Sequence, residues 1–282
     1  MAVRVVTDST AYLPADVVER AMLRVVPLTV NMSGRDGREG IDVAPADVAR
    51  ALGERRVSVT TSRPAPAEFV AAYRDLLRDG ASGVVSIHLS ARLSGTYESA
   101  VLAAAEVGEQ VAVVDTATAG VAVGFAALAA AEQAADGGDL ASVQAAAAAA
   151  AARTSTLFYV DTLEFMRRGG RIGVASALVG TALAVKPILH VAGGAVVLKE
   201  KVRTAGRALA RLVDLAAEAA GESAVDIAVQ HLGAADRAEA LRDALVQRLA
   251  GQVRDAYLIE VGAVLAAHTG PGVIGVAVHR RR

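Results

Sequence analysis

Four short polar segments carry most of the chemistry that this sequence could perform. Each follows an apolar stretch and stands before a predicted helix or turn, so each is expected at the carboxyl edge of an open α/β sheet, where ligands of such sheets bind. Hydroxyl groups and free backbone N–H groups at a helix N-terminus favour a bound anion. Ser and Thr also cap helices at such positions, and both interpretations stay open for every segment. The four segments are residues 8–10, 60–64, 93–96 and 267–272.

Two charged or titratable side chains could serve the same anion. Arg171 stands between Gly170 and Ile172, a setting that favours an arginine pointing inward. His268 lies between an apolar run and a loop of glycine and proline, where it is either a hydrogen-bonded structural residue or a functional one. The spacing of the five histidines is not that of metal ligands, so the sequence predicts no metal site.

The motifs of the common enzyme classes are missing from the sequence. It has no G-x-S-x-G nucleophile elbow, no phosphate-binding P-loop, no dinucleotide fingerprint and no H-E-x-x-H zinc motif. Ser94 could still act as a nucleophile with His268 as its base, which would make the protein a serine-dependent acyl esterase or thioesterase. Nothing in the sequence assigns an acid that would orient this histidine. A protein that binds an anion without chemistry of its own explains the same residues with fewer requirements.

The elements that must position these residues change character near the middle of the chain. In the first half, apolar β-branched runs alternate with helical segments, which predicts an α/β fold with a parallel sheet covered by helices on both faces. One of these runs predicts a single strand over residues 25–32. The second half includes a tight hairpin at Gly193-Gly194 and is typical of an α+β domain. We therefore predict an N-terminal α/β domain, residues 1–155, and a C-terminal α+β domain, residues 156–282.

The composition argues against several further classes of function. The 282 residues carry a net charge of -1, which argues against nucleic acid as a partner. The absence of cysteine excludes disulfides and thiolate chemistry and fits a reducing, cytoplasmic setting. Mean hydropathy is +0.40, yet no apolar run reaches the ~20 residues that cross a bilayer, and the N-terminus lacks a signal-peptide pattern. A soluble cytoplasmic protein is expected.

The polar motifs and their order resemble those of the DegV family. These are bacterial fatty-acid-binding proteins that serve as carrier subunits of fatty-acid kinase. The resemblance extends over nearly the whole chain. Seven segments carry it, in the family's order: residues 7–10, 61–64, 93–100, 169–172, 186–189, 201–204 and 267–272.

The resemblance implies a two-domain α/β fold that holds a long-chain fatty acid in a tunnel between the domains. It assigns the binding of the carboxylate to Thr61 and Ser94. It implies no cofactor, no catalysis and at most transient contact with a membrane surface. The carrier would present the carboxylate to a separate ATP-dependent kinase, which phosphorylates it to an acyl phosphate. Four further positions match residues that support the polar end of the pocket: Ser62, Gly95, Arg171 and His268.

Two arginines have roles that the sequence leaves open. Arg63 stands where the family commonly has glutamine, and it either strengthens carboxylate binding or faces solvent. Arg203 follows the predicted hairpin in a cluster of basic residues. Such a cluster is usually a solvated face, whereas the resemblance implies that Arg203 docks the kinase.

Overall fold

The computed structural model describes residues 2–54, 58–173 and 186–281. These residues form three sheets, ten α-helices and one short 3-10 helix (Ser9–Ala11). No helix in the three ranges combines the length and the apolar character that crossing a membrane requires. The helices are α1 (Ala15–Arg20), α2 (Pro45–Gly53), α3 (Pro66–Arg78), α4 (Thr96–Val107), α5 (Val121–Ala135), α6 (Leu140–Ala152), α7 (Glu164–Arg168), α8 (Ala205–Ala220), α9 (Ala235–Arg248) and α10 (Ala263–Thr269).

The first sheet has four strands, all parallel, and it has helices on both faces. Successive side chains of a strand face opposite sides of the sheet. Val5 therefore packs with α5 and α6, whereas its neighbour Val6 packs with α3 and α4. This arrangement confirms the predicted parallel sheet, whose strands are apolar because both faces are buried. In spatial order the strands are β2 (Arg24–Val26), β1 (Val3–Asp8), β6 (Gly83–His88) and β7 (Val111–Asp115).

The prediction of one strand over residues 25–32 is wrong. The segment divides between two sheets, because Pro27 has no N–H group to continue the ladder of β2. Its second part, β3 (Thr29–Met32), is the central strand of a three-stranded antiparallel sheet. The neighbours of β3 are β4 (Arg35–Arg38) and β5 (Val59–Ser62).

The third sheet has six strands and is mixed. Only β11 and β12 run parallel to each other, and every other neighbouring pair is antiparallel. The predicted hairpin is confirmed: β9 and β10 pair across Gly193 and Gly194, which both have positive φ. The predicted domain boundary falls within β8 and stays a prediction. In spatial order the strands are β10 (Ala195–Val202), β9 (Lys186–Ala192), β8 (Thr154–Tyr159), β13 (Ile274–Arg280), β11 (Val225–His231) and β12 (Val253–Glu260).

The two faces of the six-stranded sheet have different neighbours. Helices α8 and α9 cover one face, where Leu212 and Leu245 are fully buried among strand residues. The opposite face turns toward the parallel-sheet half of the chain, and α5 packs on part of it, where Phe125 of α5 and Ala228 of β11 belong to one buried cluster. The part of this face that α5 leaves uncovered forms a wall of an internal cavity.

Candidate functional site

The cavity has a volume of about 370 Å³, within the range of small-molecule sites. All three sheets or the segments that follow their strands contribute to it, together with α10. Most of its wall is aliphatic, which favours a flexible apolar ligand. The apolar lining residues include Leu28, Leu89, Leu93, Phe158, Met166, Val191, Val196, Val261, Val264, Leu265 and Val273.

The structure brings together three of the four polar segments at this cavity. Segments 60–64, 93–96 and 267–272 all contribute lining residues. The fourth segment, residues 8–10, does not line it. The six residues that were expected at the polar end of a ligand site all line the cavity, and we call them the polar cluster: Thr61, Ser62, Ser94, Gly95, Arg171 and His268.

Thr61 reaches the polar cluster by a route that the sequence did not predict. It lies inside β5 of the antiparallel sheet, paired with Val30, and does not follow a strand of the parallel sheet. Its Oγ1 lies 2.8 Å from Nε2 of His268, a hydrogen bond between residues from opposite ends of the chain. The position of Thr61 at the carboxyl edge of a parallel sheet was therefore a wrong expectation, although the residue does reach the cavity.

Ser94 has the predicted position, after β6 of the parallel sheet and just before α4. Its Oγ lies 2.9 Å from Oγ1 of Thr96 and accepts a hydrogen bond of 3.3 Å from the backbone N–H of Thr96. The hydroxyl of Ser94 thus contacts the first turn of the helix and the cavity at once. Helix capping and ligand binding are compatible at this residue.

Arg63 and Gly95 lie against each other beside Ser94. A Cβ atom at position 95 would collide with the guanidinium group of Arg63, so the glycine permits this close approach. The side chain of Arg63 is 54% exposed, and its nearest carboxylate is Glu98 at 3.8 Å. Arg63 therefore both lines the cavity and contacts solvent.

Arg171 joins two parts of the site through backbone carbonyl groups. Its Nε donates to the carbonyl of Leu93 at 3.1 Å, and its Nη1 donates to the carbonyl of Gly169 at 2.6 Å. The guanidinium group thereby holds the segment before Ser94 against the glycine loop. It also places a positive charge beside the other polar groups.

His268 is a neutral imidazole at neutral pH. Burial, together with the smaller effect of the nearby charge of Arg171, lowers its pKa to about 4. Its Nδ1 is buried and has no hydrogen-bond partner among the described residues. Gly169 lies directly against this nitrogen, and a Cβ there would collide with it. A neutral imidazole offers one donor and one acceptor, so Thr61 can bond to either tautomer.

This lowered pKa predicts a loss of stability in acid. Between its ordinary pKa of 6.5 and the folded pKa of about 4, the unfolded chain takes up a proton that folded His268 does not. The stability that neutral His268 provides is therefore present above about pH 6.5 and is lost as the pH falls toward 4. Replacing His268 with Asn should make the free energy of urea unfolding fall less over this range. An unchanged fall would contradict the prediction.

A second buried histidine, His279, provides an independent test of the same effect. Burial also lowers its pKa to about 4, although it lies outside the cavity and stacks on Phe125. His279→Asn should also reduce the fall in the free energy of unfolding between pH 6.5 and about pH 4. The double variant should reduce it further, because the two histidines share no partner.

Glu39 supports the site from outside the cavity, and the sequence did not indicate this role. This carboxylate is 4% exposed and receives hydrogen bonds from the hydroxyls of Ser9 and Tyr12. It also accepts the backbone N–H of Val264 at 2.7 Å, in the first turn of the helix that carries His268. Burial raises its pKa, and the hydrogen bonds from its three donors oppose that rise. A single acidic residue in a loop gives no sequence signal for this role.

These contacts indicate a structural role for segment 8–10, which does not line the cavity. Through Glu39, Ser9 helps to hold the start of α10. Asp8 accepts hydrogen bonds from the backbone N–H groups of Thr10 and Leu89. Segment 8–10 therefore supports the elements around the cavity without touching a ligand in it.

The esterase alternative requires a nucleophile, a base and an orienting acid in contact, and the polar cluster does not show them. Oγ of Ser94 bonds to Thr96, whereas Nε2 of His268 bonds to Thr61. Among the described residues, no carboxylate bonds to Nδ1 of His268. Ser94 and His268 are therefore not bonded to each other in this structure.

A serine, a histidine and an aspartate do form a hydrogen-bonded row elsewhere. Nδ1 of His88 lies 3.0 Å from Asp8, and Nε2 lies 2.7 Å from Oγ of Ser86. All three side chains are completely buried, and the hydroxyl of Tyr73 donates to Ser86 at 2.8 Å. No substrate can reach this serine, so the row stabilises the parallel sheet.

Fold and site together define a mixed α/β protein that encloses a largely apolar cavity with a cluster of hydroxyls, an arginine and a neutral histidine in its wall. A family model described as "uncharacterised protein, DegV family" matches residues 2–281. The chain belongs to the DegV family, which confirms the resemblance seen in its motifs.

Known relatives match over their full length. A DegV domain-containing protein of Streptomyces coelicolor is 54% identical over 279 residues, which are 99% of each chain. The structure of a DegV family protein from Thermus thermophilus, described as binding fatty acid, has a TM-score of 0.93 and 37% identity. DegV of Bacillus subtilis, described as a fatty acid binding protein, has a TM-score of 0.90 and 32% identity. Both structures are covered completely, as is this chain.

Proposed function

We propose that this protein binds a long-chain fatty acid in the cavity, with the carboxylate at the polar cluster. The proposal rests on one observation. The cavity has a largely aliphatic wall, and the hydrogen-bonded pair of Thr61 and His268 lines the same cavity. The Thermus and Bacillus relatives, both described as binding fatty acid, support it.

The energetics of such a ligand suit this wall. Each buried methylene group contributes roughly 0.8 kcal/mol, so an acyl chain can supply most of the affinity. The carboxylate must recover the hydrogen bonds that it made to water, and bonds to a charged group contribute roughly 1.5–3 kcal/mol each. A site with several donors beside an apolar wall meets both requirements.

Within this proposal the residues of the polar cluster divide into two groups. The hydroxyls of Thr61 and Ser94 donate to the carboxylate. The other members support the polar end: Arg171 supplies a compensating charge, and neutral His268 orients Thr61 without an ionic partner. Ser62 and Gly95 complete the rim, where Arg63 lies over Gly95.

The protein acts as a carrier in this proposal and performs no catalysis. It shields the acyl chain from water and presents the carboxylate to a separate kinase, which transfers a phosphoryl group from ATP and releases an acyl phosphate. Positioning is the contribution of the carrier, and the partner handles the phosphates. The ligand would lie between the proposed domains of residues 1–155 and 156–282, in a cytoplasmic protein.

Mass spectrometry of lipid extracted from the purified protein tests this function. A bound fatty acid, and stoichiometric uptake of palmitate by the delipidated protein, are the expected results. Failure of palmitate to bind would overturn the proposal. Hydrolysis of a chromogenic acyl ester that disappears in Ser94→Ala would establish the serine esterase in its place.

Gly169→Ala should weaken palmitate binding between about threefold and tenfold. The added methyl group collides with the His268 ring and must move it from Thr61. Isothermal titration measures the effect. Gly206→Ala is the matched control, because a Cβ there meets nothing within 4 Å. Equal affinities of the two variants would show that the position of the imidazole does not matter.

Arg203→Ala should lower the rate of acyl-phosphate formation with a cognate kinase and leave palmitate binding unchanged. Arg203 is exposed directly after edge strand β10, away from the cavity. The control is Arg254→Ala, an exposed arginine on β12 at the opposite edge of the same sheet. Rates are compared at limiting carrier concentration. Equal rates for both variants would remove Arg203 from the proposed interface.

A further inference from the structure

The cavity wall contains a second polar group outside the polar cluster. The side chain of Gln230 lines the cavity from β11, and the residue is 6% exposed. Its Oε1 accepts the backbone N–H of Val121 at 3.0 Å, at the start of α5. Because that bond requires an acceptor, it fixes which end of the amide is oxygen. The Nε2 group then has two hydrogens, and no described residue accepts either of them.

Position 275 is a glycine, and its lack of a side chain leaves the amide of Gln230 accessible from the cavity. Phe158, Gly275 and Gln230 are neighbours in one row across β8, β13 and β11, and all three line the cavity. A Cβ at position 275 would lie 3.4 Å from Cβ of Phe158 and 3.8 Å from Nε2 of Gln230. The glycine therefore leaves a gap of about one methyl group in front of the amide nitrogen.

A hydroxyl pair lies in the next row of the same wall. Thr156 lines the cavity, and its Oγ1 lies 3.0 Å from Oγ1 of Thr118. Both residues are buried, at 8% and 5% exposure. Only one hydrogen is used between two hydroxyls, so the pair retains a second hydrogen that can be donated.

The amide of Gln230 and the hydroxyl pair lie in different rows of the six-stranded sheet. The chain leaves α10 after Thr269, reaches the cavity wall again at Val273, and passes Gly275 two residues later. Thr156 is paired with Ala277, a further two residues along β13. Two residues of a strand span roughly 7 Å, so the amide and the hydroxyl pair are at successive depths along the wall.

We propose that Gln230 and Thr156 form a second polar subsite, which accepts a hydroxyl group on the acyl chain of the ligand. The inference rests on the proposed function, because the ligand must be a fatty acid whose carboxylate occupies the polar cluster. Buried donors in proteins are almost always paired, and the methylene groups of an unsubstituted chain cannot pair with these. A hydroxyl oxygen at the depth of Gly275 accepts from Nε2 of Gln230, and the hydroxyl pair offers a further donor one row along the wall. The protein therefore prefers a hydroxylated fatty acid to the unsubstituted one.

Titration of the delipidated protein with stearate and with a series of hydroxystearates tests the subsite. The hydroxyl is placed near the carboxylate, in the middle of the chain or near the methyl end. One internal position should bind about fivefold more tightly than stearate, the value of one neutral hydrogen bond. Gln230→Met, which keeps the volume and removes the amide, should abolish that preference and leave stearate binding nearly unchanged.

Gly275→Ala is the second variant, in case Gln230→Met loses its fold together with the bond to Val121. It keeps the amide and fills the gap in front of it at ordinary contact distances. It should also abolish the preference. If stearate binds and no hydroxyl position improves its affinity, or if the preference survives both substitutions, the subsite is refuted and fatty-acid binding stands. If stearate itself does not bind, the proposed function is refuted, and the subsite is refuted with it.

Discussion

Replacing Thr61 or Ser94 with alanine is expected to weaken palmitate binding by about tenfold or more. Each hydroxyl supplies a charge-assisted hydrogen bond to a carboxylate that has left water. The apolar wall is untouched, so both variants should retain measurable affinity. In Thr61→Ala, Nε2 of His268 also loses its partner, which makes this the more damaging of the two changes. Because both hydroxyls serve one ligand group, the double variant should lose less than the sum of the two effects.

The methyl ester of palmitate separates this role from helix capping. The ester has no charge, so its binding should respond far less to either substitution. Thr61→Ser keeps a hydroxyl at the same position and should recover most of the affinity for the acid. If acid and ester lose affinity equally, or if neither changes in folded protein, Thr61 and Ser94 are structural residues and the carboxylate is bound elsewhere.

Glu39→Ala is expected to lower the free energy of unfolding by about 3 kcal/mol. The substitution leaves three donors without their acceptor: the buried N–H of Val264 and the partly buried hydroxyls of Ser9 and Tyr12. Urea unfolding measures the loss as a lower midpoint. Palmitate affinity should fall as well, since the start of α10 loses the group that fixes it and His268 lies near the end of that helix.

Asp42→Ala is the matched control for Glu39. Asp42 lies three residues further along the chain, and its carboxylate pairs with Arg38 at 2.9 Å on the exposed surface. Such exposed pairs contribute little, so this variant should unfold and bind like the wild type. A loss of stability as small in Glu39→Ala as in Asp42→Ala would show that solvent replaces Glu39. The buried carboxylate would then have no positioning role.

The amino-acid sequence by itself determined the features that depend on neighbouring residues. Alternating apolar runs and helical segments predicted the parallel sheet, and the Gly193-Gly194 pair predicted the hairpin, because both patterns act over a few residues. The polar motifs led to the family, which the comparison confirms. They also named the six residues of the polar cluster, although their individual roles stay predictions.

Only the tertiary structure decided which of these motifs meet and what state they are in. Thr61 and His268 are 207 positions apart in the sequence, and Glu39 and Val264 are 225 positions apart. No local sequence pattern therefore predicts either contact. The neutral state of His268 depends on burial by surrounding elements and on the charge of Arg171. The exposure of the Gln230 amide to the cavity depends on a glycine from another strand. Contacts of this kind arise from the packing of distant segments, whose geometry no single segment encodes.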